Sequence, residues 1–158
     1  MPTISALYEH IGRCVEVAQQ MEYFVASASM AADGLRSGSH ADVRDEGYVK
    51  LVSRLDRLTL GQALKELETR VTNLGELKPP LAIALDARNR LAHQILARRT
   101  IAEMNAVELD EFAAELLNID LDLKAGRSAA FAIAKALVYE GISRKVADLL
   151  EDPPAGAI

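Results

Sequence analysis

Beginning at Ile4, apolar residues recur three and four positions apart, through Leu7, Tyr8, Ile11, Cys14, Val15, Ala18, Met21, Val25 and Ala28, as far as Ala31. That spacing follows the 3.6-residue turn of an α-helix and gathers one apolar stripe on a single face. A strand needs alternation with period two, and no run of alternating β-branched residues is long enough to make one. Half of the 158 residues are hydrophobic, yet only 4% are aromatic and none is Trp. The core therefore has to be built from Leu, Ala, Ile and Val on helices, and the expected fold class is all-α. The length suits one domain, expected over residues 1–150, with a frayed tail at 151–158, EDPPAGAI.

Capping residues divide the rest of the chain. Thr3 reads as the N-cap of the first helix and Gly34 as its stop, and DGLRSGSHA, residues 33–41, reads as a connection. Asp42 can cap a second helix with Tyr48, Leu51, Val52 and Leu55 on its inner face, ending near Leu58. In TLGQ, Thr59 and Gln62 make a capping box that opens a third helix through Leu60, Leu64, Leu67 and Val71. Gly75, Pro79 and Pro80 separate it from a fourth, Leu81 to about Arg98, because proline is tolerated in a first turn but not in an interior. Asn105 with Glu108 opens a fifth pattern through Leu109, Phe112, Ala113, Leu116 and Leu121. That pattern either continues past Gly126 into SAAFAIAKALVY or breaks there. SRKVADLL reads as a short last helix. The short connections between the middle helices favour antiparallel neighbours, hence an up-and-down bundle of four to five long helices plus a short C-terminal helix.

The net charge of −5 opposes any general affinity for a phosphate backbone, so a nucleic-acid contact has to come from a local patch. Cys14, the single cysteine, allows no internal disulfide and falls on the inner stripe of the first helix, which fits a small buried hydrophobe and a reducing compartment. The segment MPTISALYEH has no basic start followed by an apolar run, and no segment approaches the ~18 apolar residues of a membrane span. A cytoplasmic protein without membrane contact is expected. GRSAAFAIAK is not a phosphate-binding loop, and no short turn leads into a helix rich in exposed Arg, Asn and Gln. His10, His40 and His93 are scattered, with no carboxylates at ligand spacing, so no metal is expected.

The fourth helix carries an anomaly. At about 100° per residue, Leu81, Ala84, Leu85, Leu91, Ala92 and Ile95 fall in one arc, and Arg88 lies near its centre. A buried guanidinium cannot escape by deprotonating and requires a carboxylate or carbonyls. On the first helix the acid at the centre of the apolar stripe is Glu22, beside Ala18, Met21 and Val25. A buried, bidentate Glu22–Arg88 bridge between facing helices is therefore expected, with a loss of several kcal/mol when Glu22 is removed. Asn89 and His93 project to the side with Asp86 and Arg90, and no acid occurs between Ala87 and Ala102, where Arg88, Arg90, Arg98 and Arg99 cluster around His93. The simplest reading of that flank is a solvated helix face; the local absence of acids makes it a basic island.

RNRLAH, Arg88 to His93, resembles the Arg, polar residue, spacer, His motif of the HEPN superfamily (higher eukaryotes and prokaryotes nucleotide-binding domains). LTLGQAL upstream of ARNRLAHQ is also similar to a bacterial HEPN-like subset that pairs TLG with RNxLAH. The motif resemblance spans about fifteen residues, and the helical layout extends it loosely over residues 4–140. It implies a HEPN-like bundle, a homodimer and, in catalytic members, metal-independent RNA cleavage without a cofactor. In that chemistry His93 is the general acid/base, Arg88 stabilises charge on the phosphoryl oxygens, and Asn89 orients the phosphate or imidazole. Arg90, Arg98 and Arg99 would hold the RNA backbone. HQIL after the motif departs from the HxFF or HxY endings seen in parts of the superfamily. Non-catalytic members imply the other function, an interaction or regulatory module of a toxin–antitoxin or defence type system with an antitoxin-like protein partner.

Overall fold

The N-terminal turn is set by Thr3, whose Oγ1 accepts a hydrogen bond from the Ala6 backbone N–H at 3.2 Å, in a computed structural model that describes residues 1–38, 46–96 and 100–151. The helix it opens, α1, spans Ile4–Ser37. It therefore passes through Gly34, the expected stop, which is buried within the helix. Gly38, with φ of 71°, is the residue whose backbone leaves the helical region, and a left-handed conformation is where glycine avoids the Cβ clash. An interior glycine costs about 1 kcal/mol of helix propensity, a loss that tertiary packing readily outweighs.

Helix α2 is Glu46–Leu55 and α3 is Leu60–Arg70. Asp42 lies outside the described residues, as do the side chains of Tyr48, Leu51 and Val52; Leu55 is buried. The Thr59 box forms as read, Gln62 N–H donating to Thr59 Oγ1 at 3.3 Å and Thr59 N–H to Gln62 Oε1 at 2.9 Å. A 3₁₀ turn at Gly75–Leu77 leads directly into α4, Lys78–Leu96, so both prolines stand in its first turn. A second 3₁₀ turn, Ile101–Glu103, precedes α5, Ala106–Glu151. Asn105 Oδ1 accepts from Glu108 N–H at 3.0 Å while Asn105 N–H donates to Glu108 Oε2 at 2.8 Å. The protein is all-α, with no strand among the described residues. SRKVADLL is the last part of α5 and not a separate helix; the tail from Asp152 lies outside the described residues.

The chain divides into two compact units. The first comprises Met1–Tyr23 and Gly75–Ala130, the second Phe24–Leu74 and Phe131–Ile158, so α1 and α5 each supply residues to both. In the first, Leu7, Cys14, Val17 and Ala18 of α1 share a core with Ala87 and Leu91 of α4 and Phe112, Leu116, Ile119 and Leu123 of α5. Gly126 shows why α5 does not break there. A Cβ on it would overlap the Cβ of Ala84 and lie 3.0 Å from Met21 Sδ and 3.2 Å from the Pro80 carbonyl oxygen. The glycine is a point of close helix approach, not a stop signal.

The second unit buries Val25, Ala28 and Ala32 of α1, Leu60, Ala63, Leu64 and Leu67 of α3, and Ile133 and Ala134 of α5, with Phe24 and Phe131 meeting edge to face at 5.1 Å. Here the fold buries an arginine that the hydrophobic pattern did not mark. The Arg70 side chain is only 9% exposed; its Nη1 lies 2.6 Å from Glu66 Oε2 and its Nε 3.5 Å from Asp33 Oδ1. Glu66 also receives Arg54 Nη2 at 2.9 Å. The hydrogen bond from Arg70, reinforced by the charge of Arg54, holds the Glu66 carboxyl below the usual carboxylate range.

Replacing Gly126 by alanine is expected to lower stability by about 1–3 kcal/mol despite the better helix propensity, because the methyl group overpacks a filled crossing. Urea denaturation checks this: equal or greater stability of Gly126→Ala would mean that the helices can separate there at no cost.

Candidate functional site

The motif helix presents its residues in three directions. Leu81, Ala84, Ala87 and Leu91 are its buried residues, and Ala87, fully buried, lies on the opposite side of Leu91 from Arg88. The buried arc is thus centred roughly 40° away from Arg88 by helical projection, which leaves the arginine on its rim. Arg88 Nε lies 3.6 Å from Glu22 Oε1, with the two side chains 38% and 40% exposed. The expected pair therefore meets through one long contact at the surface, and the expected burial and bidentate geometry are corrected. Ile95, expected on the stripe, is 45% exposed, whereas Ala87 is fully buried.

Arg90 points the opposite way, toward α5. Its Nε donates to Asp86 Oδ2 at 3.0 Å, Nη1 to Glu115 Oε1 at 2.8 Å and Nη2 to Asp122 Oδ2 at 2.8 Å. Burial pulls the Arg90 pKa down, but the hydrogen bonds it donates to Glu115 and Asp122 and the negative charges around it outweigh that and hold the pKa raised. These nitrogens already meet three carboxylates. Two of these acids, Glu115 and Asp122, arrive from α5 and are not visible in the sequence around the motif.

Asn89 and His93 are exposed on the side of α4, and Arg98 and Arg99 lie outside the described residues. Five residues along a helix amount to about 140° of rotation, so Arg88 and His93 of one chain face away from each other. Beside Arg88, α1 and α4 border an open groove of about 320 Å³, with Val15, Ala18, Leu91, Ala92 and Ile95 as its apolar lining and Gln19, Glu22 and Arg88 as polar groups.

A second cluster occurs where α1 meets α5. His10 Nε2 stands 3.8 Å from Asp120 Oδ2, and one donor atom each from His10, Cys14 and Asp120 lie within 4.8 Å of one another. Lys124 Nζ is 2.6 Å from the same Asp120 oxygen, while Asp120 Oδ1 is buried with no hydrogen-bond partner among the described residues. Cys14 is fully buried, as its stripe position implied, and burial together with the Asp120 charge pushes its thiol up to about 11. Sequence spacing missed this cluster. His10 and Cys14, one helical turn apart, were the local signal, but the carboxylate comes from a distant helix.

Comparison with protein families, curated proteins and solved structures finds no match. Among the described residues no helix is long and apolar enough to cross a membrane. Function has to be argued from the side chains themselves.

Glu22→Ala is expected to cost less than about 1 kcal/mol in chemical denaturation and to lose that effect in high salt, as befits a half-exposed pair; a loss of several kcal/mol would restore the buried bridge. Cys14 adds a pH dependence. Its folded pKa is raised from 9.0, so the protonated thiol favours folding, and that contribution is complete below about pH 9 and lost as pH rises toward about 11. Stability measured across this window is expected to fall in the wild type and to fall less in Cys14→Ala; equal slopes would contradict a buried thiol.

Proposed function

We propose that this chain is a non-enzymatic helical interaction module, with the HEPN-like motif serving as a brace between helices. The observation that carries this reading is the three-carboxylate enclosure of Arg90. A guanidinium with its nitrogens engaged by Asp86, Glu115 and Asp122 has little capacity left for a phosphate, and those acids repel one. Arg88 adds to the same picture by sharing its charge with Glu22.

The surface that fits an interaction is the groove bordered by α1 and α4. Its apolar lining carries one cation and one anion, Arg88 and Glu22. A two-fold contact presents the same patch on both partners, so a patch holding both signs is complementary to itself. A second copy of this chain is the partner it suits, and a regulatory role in a toxin–antitoxin or defence type system is the setting implied by the motif's resemblance.

A second reading, metal-independent endoribonuclease, draws on the exposure of Asn89 and His93 one turn apart on α4. Because Arg88 and His93 diverge on one helix, that activity requires the two groups to come from different copies.

Two measurements separate these readings. Purified protein incubated with mixed RNA in EDTA is expected to give the same blank result for the wild type, His93→Ala and Arg88→Ala; cleavage by the wild type that disappears in His93→Ala would establish the enzyme instead. Sedimentation across micromolar concentrations is expected to show a dimer that Ile95→Glu weakens at least tenfold, whereas a wild-type monomer throughout would remove the self-association.

A further inference from the structure

The cluster of His10, Cys14 and Asp120 stands apart from the motif helix and is independent of the interaction reading. Two of its members are held one turn apart on α1, and the third is fixed by the packing of α5 against the same core. Imidazole, thiol and carboxylate are the three side-chain types that bind zinc. We propose that His10, Cys14 and Asp120 form a three-residue site for a thiophilic divalent cation of the zinc class, with a fourth coordination position left for water or an added ligand.

The geometry is close to what such an ion needs. Zn–N and Zn–O bonds of roughly 2.0–2.2 Å and a Zn–S bond of about 2.3 Å place tetrahedral donor atoms roughly 3.3–3.8 Å apart. The His10–Asp120 separation of 3.8 Å already falls at that limit, and the widest donor separation of 4.8 Å needs a contraction of about 1 Å. The orphaned Asp120 Oδ1 is the independent sign of a ligand. Asp120 is 7% exposed, and a buried carboxylate oxygen without a donor bears a desolvation cost that a cation relieves. Hard cations such as Mg²⁺ are poorly matched to a site that includes sulfur.

Lys124 shares Asp120 with the cation. It holds Oδ2 at 2.6 Å through an i,i+4 contact, but its own side chain is half exposed and can turn to solvent. Binding also requires the Cys14 proton to leave, because the thiolate is the form that ligates.

Titration of the full chain with Co²⁺, followed by Zn²⁺ displacement, tests the site directly. One equivalent of Co²⁺ is expected to produce a thiolate-to-cobalt charge-transfer band that Zn²⁺ removes and Cys14→Ser abolishes. His10→Ala and Asp120→Asn, first checked for folding by circular dichroism, should weaken binding by more than the ~10–100-fold typical of losing a partner outside the coordination shell. Lys124→Met keeps all three ligands, removes the competitor and should tighten binding by up to about fivefold, the equivalent of an exposed ion pair. Absence of a charge-transfer band in folded wild type and Lys124→Met, or binding unchanged in Cys14→Ser, would overturn the proposal.

Discussion

Arg90 ties the motif helix to α5 by placing one guanidinium among carboxylates from both elements, Asp86 on its own helix and Glu115 and Asp122 on the other. Two of these acids are a helical repeat apart on α5 and converge on a planar fork of donors, the geometry in which arginine outperforms lysine. The apolar core beneath orders the same helices, since Ala87 and Leu91 pack with Leu116, Ile119 and Leu123. Burial supplies most of the attraction, and the charged cluster lies along the edge of the same α4–α5 contact. Arg88, 200° away by helical projection, is then directed toward α1 and Glu22.

This division of directions gives each motif residue its own surroundings. The two cations of RNR look like a phosphate-binding pair when written in one dimension, but two residues on a helix turn by about 200° and send them to different surroundings. Arg90 is enclosed by acids, Arg88 borders an apolar groove, and Asn89 and His93 remain on the exposed flank. Enclosure favours structural work for the arginines, and the apolar groove with its balanced charges favours a protein surface as its occupant.

Local interactions were the legible part of the sequence. Thr3, the Thr59–Gln62 box and the Asn105–Glu108 pair each depend on residues within one turn, so their spacing alone sufficed. Apolar periodicity likewise marked Leu7, Cys14, Ala18 and Met21 as core. The misreadings share a different cause. Gly34 looked like a stop although α1 runs through it, the choice left open at Gly126 was decided by packing partners that lie elsewhere in the chain, and the buried arginine proved to be Arg70, whose position at a helix end concealed its burial. Of the acids around Arg90, Asp86 lies one turn away on the same helix and was within reach of the sequence, whereas Glu115 and Asp122 come from α5. His10, Cys14 and Asp120 could not be joined from spacing, since helix packing and not sequence proximity brings the carboxylate in.

Arg90 acting as a brace is the interaction on which the proposed role of the motif depends. A double-mutant cycle between Arg90→Ala and Asp122→Ala, read by urea denaturation, measures that directly, with the cycle repeated for Glu115→Ala. A coupling of at least about 0.5 kcal/mol in either cycle is the result expected of groups in one charged network. Coupling indistinguishable from zero in both would mean that the carboxylates do not hold Arg90, and would return it to the set of cations free to meet a phosphate.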